Sequence, residues 1–548
     1  MQKPTLTDKL SEIHRREEEA KTKSLAQKLS LPYLNLFGLP LEPDGLMLLS
    51  EEKSKQSNLL IIKKQGKNLE IALVDPENPI TKQTLADLSR QGFLFSSHLF
   101  LISASSLKDG LEHYKEITFT SAKRTSQVEI SSGLISDLQK EIKGIESLKE
   151  KISQIPPSKT SEILEVIISG ALNLDASDIH LEPKEETTNL KYRLDGLLYE
   201  IGTLNNKSFS LILSRIKLLS GMKLNIKDIA QDGRFTIRLS QSDIEVRVSL
   251  IPGNYGESIV MRLLNPETIG LDLEDLGFRK DALAFLDKEI KKPNGLIITT
   301  GPTGSGKTTT LYSFIKKVAK PEIKIITLED PVEYHLSGIV QTQVEEELGY
   351  SFASGLRSIL RQDPDIILIG EIRDSETCKT ALNASLTGHL VFSTLHTNDA
   401  AGAIPRFIDL GADPGSLADS LNIIMAQRLV RRLCDNCKEK YALPAEALEK
   451  IKTSLKGAEH PPIDKAVFFR PKGCDKCNGL GYKGRVGILE LIPVDQDLEK
   501  IISKSPSHAD IIDFAKKKGY LSMYQDALLR VLAGITSLEE IERVIEAE

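Results

Sequence analysis

Eight consecutive residues near the middle of the chain have the types and spacing of a phosphate-binding loop. They are Gly301, Pro302, Thr303, Gly304, Ser305, Gly306, Lys307 and Thr308, which match G-x-x-x-x-G-K-[ST] at every position. In such a loop the glycines bring backbone N–H groups to the phosphates, the lysine neutralises the β- and γ-phosphates, and the Thr308 hydroxyl binds Mg²⁺. Together with Thr309, these residues are predicted to form a nucleotide site.

The segments on either side of the loop are those that a nucleotide site requires. Residues 295–300 are apolar and β-branched, as in a buried strand, and residues 309–320 have apolar side chains at helical spacing. The order strand, glycine-rich turn and helix distinguishes a phosphate loop from a glycine-rich surface turn, which is the alternative interpretation. We therefore predict a nucleotide-binding core of parallel α/β type.

Three further polar clusters each follow a strand-like run. Glu329 and Glu333 follow residues 323–328, Glu371 follows residues 366–370, and His396 follows residues 390–395. Ligands of open α/β sheets bind outside the carboxyl ends of the strands, so the three clusters are expected to converge on the phosphate loop.

Each cluster has a chemical role available to it. Glu371, one residue past a buried strand, is placed to orient an attacking water. Glu329 and Glu333 could bind Mg²⁺ through water or assist proton removal, although Glu333 could equally be a solvated loop acid. His396 could sense or polarise the γ-phosphate, and its alternative is a purely structural histidine.

Four of the five cysteines form two C-x-x-C pairs, Cys434/Cys437 and Cys474/Cys477. Disulfides are disfavoured in an intracellular protein, whereas two such pairs predict one tetrahedral Zn²⁺ site. With all four positions filled by thiolates, the zinc would be structural. The insertion between the pairs shows little apolar core, so the metal is expected to hold it together. The fifth, Cys378, is expected to be a small buried apolar residue.

Composition limits the classes of function. The chain has 548 residues, a net charge of −6, no Trp and 5% aromatic residues. This balance argues against nucleic acid as a partner. The first residues lack the apolar core of a signal peptide, and no run of about 18 apolar residues occurs. We therefore expect a cytoplasmic protein without direct membrane insertion.

Composition shifts along the chain divide it into four parts. Residues 1–121 are expected to form an N-terminal docking domain, and residues 122–158 a linker with one helix at 134–152. Residues 159–265 are expected to form an α+β domain, and residues 270–548 the nucleotide-binding domain with a zinc-binding insertion at 434–477.

Motifs in four places resemble those of the type II secretion and type IV pilus assembly ATPases. Residues 301–308, 327–334, 360–374 and 388–398 are similar to the Walker A motif, Asp box, Walker B motif and His box of that family. Residues 176–183, 192–196 and 231–234 resemble its second N-terminal domain, and residues 25–115 its first. The resemblance implies a RecA-like P-loop NTPase core, a PAS-like α+β second N-terminal domain, a small N-terminal α/β domain and the Cys₄ zinc insertion.

The same resemblance implies a homohexameric ring, with each nucleotide between a RecA-like domain and a neighbouring smaller domain. It also implies arginine fingers, which match Arg247 and Arg262, with Arg193 and Arg234 as further contacts. Arginines facing a triphosphate can make bidentate contacts that strengthen as charge develops. Residues 227–230 depart from the Arg-rich run of the family, which affects the expected shape of that loop.

The expected function is a Mg²⁺-dependent ATPase motor that powers type IV pilus assembly, with ATP, Mg²⁺ and Zn²⁺ as cofactors. The expected partner is an inner-membrane platform protein, through which the motor would lie peripherally at the inner membrane. The alternative within the family is type II secretion. Alternatives from other classes are a nucleic-acid motor and a non-hydrolysing scaffold, although Lys307, Thr308 and Glu371 are all present.

Overall fold

The structure is a computed structural model of the chain. It describes residues 6–545 except 38–42, 47, 50, 66–67, 91, 96–98, 122–126, 130–143, 157–158, 239–242 and 266–269. The chain divides into two compact units, residues 1–126 and 127–548, and each is described by itself. No helix in the described part of the chain is both long and apolar enough to cross a membrane.

The first unit is a small α/β domain around a three-stranded sheet. Strand β1 (Leu59–Gln65) pairs antiparallel with β2 (Asn68–Leu73), which pairs parallel with β3 (Leu99–Leu101). Its helices are α1 (Leu6–Lys28), α2 (Pro43–Leu46), α3 (Glu51–Ser57), α4 (Pro79–Arg90) and α5 (Ala104–Ser121). Helix α4 begins at Pro79, where the missing N–H is not needed, and Asn78 Oδ1 accepts a hydrogen bond from the Ile80 N–H at 2.9 Å.

The second unit begins with a seven-stranded sheet in the order β4-β8-β9-β10-β5-β6-β7. All neighbours are antiparallel except β4 and β8. The strands are β4 (Gln127–Glu129), β5 (Asp178–Pro183), β6 (Thr187–Leu194), β7 (Leu197–Asn205), β8 (Gln231–Arg238), β9 (Asp243–Gly253) and β10 (Gly256–Leu264). The helices are α6 (Ile145–Gln154), α7 (Thr160–Asn173) and α8 (Asn206–Leu219).

Helix α6 is the described part of the helix predicted for the linker, and residues 130–143 lie outside the described residues. Leu148 on α6 is fully buried against Gly170 of α7, where a Cβ would lie 2.6 Å from Leu148 Cδ1. This helix therefore belongs to the core of the sheet rather than to an isolated spacer. The predicted domain boundaries as a set stay a prediction.

A second seven-stranded sheet carries the phosphate loop, in the order β13-β12-β14-β15-β11-β16-β19. The first six strands are parallel, and β16 and β19 form a long antiparallel pair. The strands are β11 (Gly295–Thr300), β12 (Ile325–Glu329), β13 (Val340–Gln343), β14 (Ile366–Ile369), β15 (Leu390–Leu395), β16 (Leu421–Leu433) and β19 (Tyr482–Pro493).

Helices cover both faces of this sheet, which explains why its central strands β11, β12, β14 and β15 are buried throughout. They are α9 (Lys280–Glu289), α10 (Lys307–Val318), α11 (Phe352–Ile359), α12 (Ser375–Leu386), α13 (Ala403–Asp409), α14 (Pro414–Ser420), α16 (Gln496–Ile502), α17 (His508–Lys518), α18 (Met523–Leu532) and α19 (Leu538–Val544). All six residues of β11 and all four of β14 are buried.

The insertion between β16 and β19 is better packed than its sequence indicates. It contains β17 (Glu439–Tyr441), α15 (Ala445–Ser454) and β18 (Phe468–Arg470). Five of its apolar residues are buried in the same hydrophobic core as α18 and the central sheet, namely Leu443, Ile451, Leu455, Ile463 and Phe468. The few apolar residues expected in the insertion therefore contribute to the core of the domain. The apolar residues of the insertion are too few to form a core of their own, and they pack into the core that α18 and the central sheet share.

Candidate functional site

The phosphate loop joins β11 to α10 in the conformation that a glycine-rich sequence permits. Gly301, Gly304 and Gly306 have φ values of 145°, 79° and 90°, which non-glycine residues rarely adopt. Gly306 immediately precedes α10, so the free N–H groups of the first helical turn face the cleft above the loop. This arrangement is suited to binding phosphate oxygens.

Lys307 is the first residue of α10 and is nearly buried. Its Nζ donates hydrogen bonds to the carbonyl oxygens of Gly301, at 2.7 Å, and Pro302, at 3.1 Å. Burial lowers the pKa of Lys307 to about 8; Glu371 opposes this shift and Arg428 adds to it. The ammonium group therefore already lies within the loop, where a phosphate would replace its two carbonyl partners.

Strand β16 supports the back of the loop, a contact that the motifs do not indicate. Gln427 is buried, and its Oε1 accepts a hydrogen bond from Thr310 Oγ1 at 2.8 Å. A Cβ on Gly301 would lie 2.6 Å from the Gln427 carbonyl oxygen, so only glycine fits there. The one signal in the sequence is a polar glutamine directly after the apolar run 423–426.

Glu371 lies just past β14, and the structure brings His396 to it. Glu371 Oε1 is 2.6 Å from an Arg373 guanidinium nitrogen, and Oε2 is 3.1 Å from His396 Nε2. The residue is 8% exposed and lines the cleft with the phosphate loop. Its carboxylate is thus held in one orientation from two sides, as a group that positions water must be.

The two Asp-box glutamates lie in different surroundings. Glu329 is buried at the end of β12, where its carboxylate accepts hydrogen bonds from Tyr312, Thr327 and Gln341. Burial raises the pKa of Glu329, and these hydrogen bonds oppose the shift. Glu333 is more exposed and binds Arg247, with 3.0 Å between Oε2 and Nη1. Both glutamates line the cleft above the phosphate loop.

The predicted arginines lie in a row across the first sheet of this unit. Arg234, Arg247 and Arg262 are directly opposite one another on β8, β9 and β10. Arg262 and the phosphate loop line the same cleft. The volume of this cleft is about 480 Å³. Arg247 also donates to the Val332 carbonyl oxygen, so it contacts the Asp-box loop twice.

The cleft contains basic residues that the motifs did not single out. Arg373 and Arg485 line it together with Arg262 and Lys307. Their guanidinium groups add positive charge where a polyphosphate would bind. Arg373 lies within the Walker B segment, where the resemblance assigns it no role, and Arg485 lies on β19.

The four cysteines come together around one point. Their sulfurs all lie within 4.8 Å of one another, with Sγ–Sγ distances of 3.9 Å for Cys434–Cys474, 3.7 Å for Cys437–Cys477 and 3.8 Å for Cys474–Cys477. Four thiolates in a tetrahedron around zinc lie about 3.8 Å apart. The set therefore fits a zinc ion. Cys378, by contrast, is fully buried in the apolar core, as expected.

The parallel sheet, phosphate loop, carboxylate and arginine-lined cleft define a RecA-like P-loop ATPase. The model of the type II/IV secretion system protein family matches residues 157–543, and that of the MshEN domain matches residues 29–119. The chain therefore belongs to the type II/IV secretion system protein family, which includes the secretion and pilus ATPases. The resemblance found in the motifs is confirmed.

Similar proteins come from type IV pilus assembly and from type II secretion. The chain is 35% identical over 549 residues to the type IV pilus assembly ATPase PilB of Thermus thermophilus, covering 99% of this chain and 59% of that longer protein. It is 44% identical over 386 residues to the type II secretion system protein E of Dickeya dadantii, covering 70% of this chain and 76% of that protein.

The fold has a counterpart among solved structures. The X-ray structure of the Legionella pneumophila ATPase DotB matches with a TM-score of 0.50 and 21% identity, covering 70% of this chain and 95% of that chain. At this identity the likeness concerns the fold alone. It agrees with the predicted α/β core.

The lowered pKa of Lys307 predicts that nucleotide affinity depends on pH. Phosphates bind the charged ammonium, and in the free protein that proton is lost as the pH rises through about 8. The Kd for ATP should therefore be about tenfold weaker at pH 9 than at pH 7. Titration with a fluorescent nucleotide at constant ionic strength measures this, and a Kd that is unchanged between the two pH values would contradict the assigned role of Lys307.

Proposed function

We propose that this protein is a Mg²⁺-dependent ATPase motor that drives assembly of a type IV pilus. The observation that carries the proposal is that Lys307, Glu371 and Arg262 line a single cleft. A phosphate-binding cation, a carboxylate for the water and a guanidinium for developing charge are the groups that phosphoryl transfer to water needs. The family to which the chain belongs supports the same reaction.

Each residue of the cleft has a proposed role. The loop from Gly301 to Thr309 binds the phosphates through its backbone N–H groups and Lys307. Mg²⁺ bound at the Thr308 hydroxyl would neutralise the β- and γ-phosphates. Glu371, held by Arg373 and His396, orients the attacking water. Arg262 stabilises the charge that develops on the γ-phosphate.

The two Asp-box glutamates act around this centre. Glu333 couples Arg247 to the cleft, because their ion pair joins the first sheet of the unit to the Asp-box loop. Glu329 supports the Asp-box loop, since its three hydrogen bonds fix the end of β12, where that loop begins. Binding of ATP would then tighten the joint between the two sheets.

The proposed assembly is a homohexamer that acts at the cytoplasmic face of the inner membrane through a platform protein. The likeness to PilB supports the pilus, because it extends over 99% of the chain and so includes the first unit. Type II secretion is the second candidate, favoured by the higher identity of 44% to protein E over a shorter span. A nucleic-acid motor is disfavoured by the net charge of −6.

The experiment that separates the candidates is deletion of the gene in its own cell, complemented by the wild type or by Lys307→Ala. A pilus motor requires that deletion removes surface fibres seen by electron microscopy and leaves enzyme secretion intact. Wild type should restore the fibres, and Lys307→Ala should not. Normal fibres together with lost secretion would establish the second candidate instead.

We also propose that the four cysteines hold one structural zinc ion, because their spacing fits a tetrahedral thiolate site. Metal analysis of the purified protein should find about one zinc per chain. Cys434→Ser should lose the zinc. The insertion should be loosened rather than unfolded, since five of its apolar residues are buried in the main core. Hydrogen exchange over residues 430–490 measures the loosening.

The control for this prediction is Cys378→Ser, which changes a buried cysteine outside the cluster. It should keep the zinc content of the wild type. ATP binding should survive in Cys434→Ser, because no cysteine of the cluster lines the phosphate cleft described above. Protein that is purified without chelator and contains no zinc, yet exchanges like Cys434→Ser, would overturn the assignment.

A further inference from the structure

One carboxylate in the second unit, that of Asp178, lies directly between two arginines, Arg262 and Arg193. Asp178, the first residue of β5, is opposite Arg262 on β10 and opposite Arg193 on β6. Its Oδ1 is 3.0 Å from Arg262 Nε, and its Oδ2 is 3.2 Å from Arg193 Nε. Ser177 Oγ donates to Oδ2 at 2.8 Å. The carboxylate is therefore bound on both oxygens.

The burial of Asp178 makes this arrangement rigid. Its side chain is 5% exposed, whereas that of Arg262 is 56% exposed. A buried carboxylate keeps its charge only with charged or hydrogen-bonding partners, so it holds both arginines firmly. Arg193 is fixed further by a hydrogen bond from Nη1 to the Gly196 carbonyl oxygen at 3.0 Å. The Arg262 side chain is thus fixed at Nε, and the rest of it is largely exposed.

The atom through which Asp178 holds Arg262 matters for what that arginine can do. Among the described residues, Asp178 accepts from the Nε–H of Arg262, and a guanidinium has five N–H donors. The bond fixes the plane of the group and leaves the fork of terminal nitrogens to other partners. Since Arg262 lines the phosphate cleft, the fork is available for an oxygen of a bound nucleotide.

The neighbouring charges explain why such an anchor is needed. Arg234, Arg247 and Arg262 are directly opposite one another on adjacent strands, where like charges repel. Arg247 is held by Glu333 and Glu245. Asp178 provides the corresponding charge for Arg262, and without it the side chain would be repelled from its neighbours.

We propose that Asp178 is a positioning residue for ATP hydrolysis, which sets the orientation of the Arg262 guanidinium without touching the nucleotide. This rests on the proposed role of Arg262 in turnover. A displacement of about 1 Å in a group that stabilises a transition state can cost up to about 100-fold in rate. Loss of Asp178 should therefore lower kcat and leave nucleotide affinity nearly unchanged.

The test compares Asp178→Asn in two backgrounds. In the wild type, kcat should fall by about tenfold or more, and the Kd for ADP should stay within about threefold. In Arg262→Ala, where the anchored group is absent, the same change should alter kcat by less than about twofold. A purely structural role would lower kcat by the same factor in both backgrounds, and that result would overturn the proposal.

Two further variants keep the test decisive. Glu257→Gln removes a different buried carboxylate, on β10, that is paired with Lys217 at 2.6 Å, and it should lower the melting temperature without selective loss of kcat. Asp178→Glu keeps the charge if Asp178→Asn does not fold. Its extra methylene moves the anchor, so kcat should still fall, and wild-type kcat in this variant would contradict the proposal.

The outcome also separates this inference from the proposed function. If Arg262→Ala leaves kcat unchanged, the role of the arginine itself fails. If Arg262→Ala is slow and Asp178→Asn turns over like the wild type, only the anchoring role fails.

Discussion

Glu371→Gln is expected to bind ATP with nearly normal affinity and to hydrolyse it about 10²–10⁴ times more slowly. The substitution keeps the size of the side chain and removes the charge that polarises the attacking water. It also weakens the contacts with Arg373 and His396, which hold the carboxylate in the wild type at 2.6 Å and 3.1 Å. Steady-state phosphate release together with a nucleotide-binding titration measures both quantities.

A matched control for this variant is Glu376→Gln. Glu376 is five residues further along, lies on α12, and is exposed in an ion pair with Arg357. The same chemical change there should leave turnover within about twofold of the wild type, since exposed pairs contribute little. Phosphate release from Glu371→Gln close to that of the control would remove Glu371 from the proposed mechanism.

Arg262→Ala is expected to lower kcat by about 10³-fold or more with a small effect on nucleotide affinity, as is typical of an arginine finger. Arg247→Ala should have a smaller effect on the chemical step, because Arg247 is bound to Glu333 and Val332. It should instead weaken the joint between the two sheets. The comparison of kcat with KM for the two variants distinguishes these effects.

Mixed assemblies show whether the site is completed within one chain. Arg262, Lys307 and Glu371 of the same chain line one cleft. Mixing Arg262→Ala chains with Glu371→Gln chains should therefore restore no activity, because every cleft lacks one group. Recovery of turnover, with mixed rings confirmed by mass, would show that Arg262 serves the site of a neighbouring subunit.

The sequence predicts those parts of the site in which the spacing of a motif requires a particular local fold. The phosphate loop can function only between a strand and a helix, and β11 and α10 lie where its flanks indicate. Glu371 and His396 come from different strands, β14 and β15, which are neighbours in the sheet. Their meeting followed from the rule that parallel strands present their carboxyl ends at one edge.

The parts that could not be predicted depend on packing between distant segments. Residues 421–433 carry no prediction, because a short apolar run such as 423–426 fits a buried strand and a buried helix equally well. Gln427 acquires its role only when β16 lies beside β11. Asp178 likewise looks like an ordinary acid until the register places it opposite Arg193 and Arg262. Cross-strand register cannot be read from one sequence.

Strand β16 also has a mechanical consequence. Its residue Gln427 lies against Gly301 of the phosphate loop, and the strand ends one residue before Cys434, about 23 Å further along. Antiparallel pairing with β19 along this stretch leaves it little freedom to bend or shorten. We therefore expect a displacement of the phosphate loop to be transmitted along β16 to the cysteine cluster.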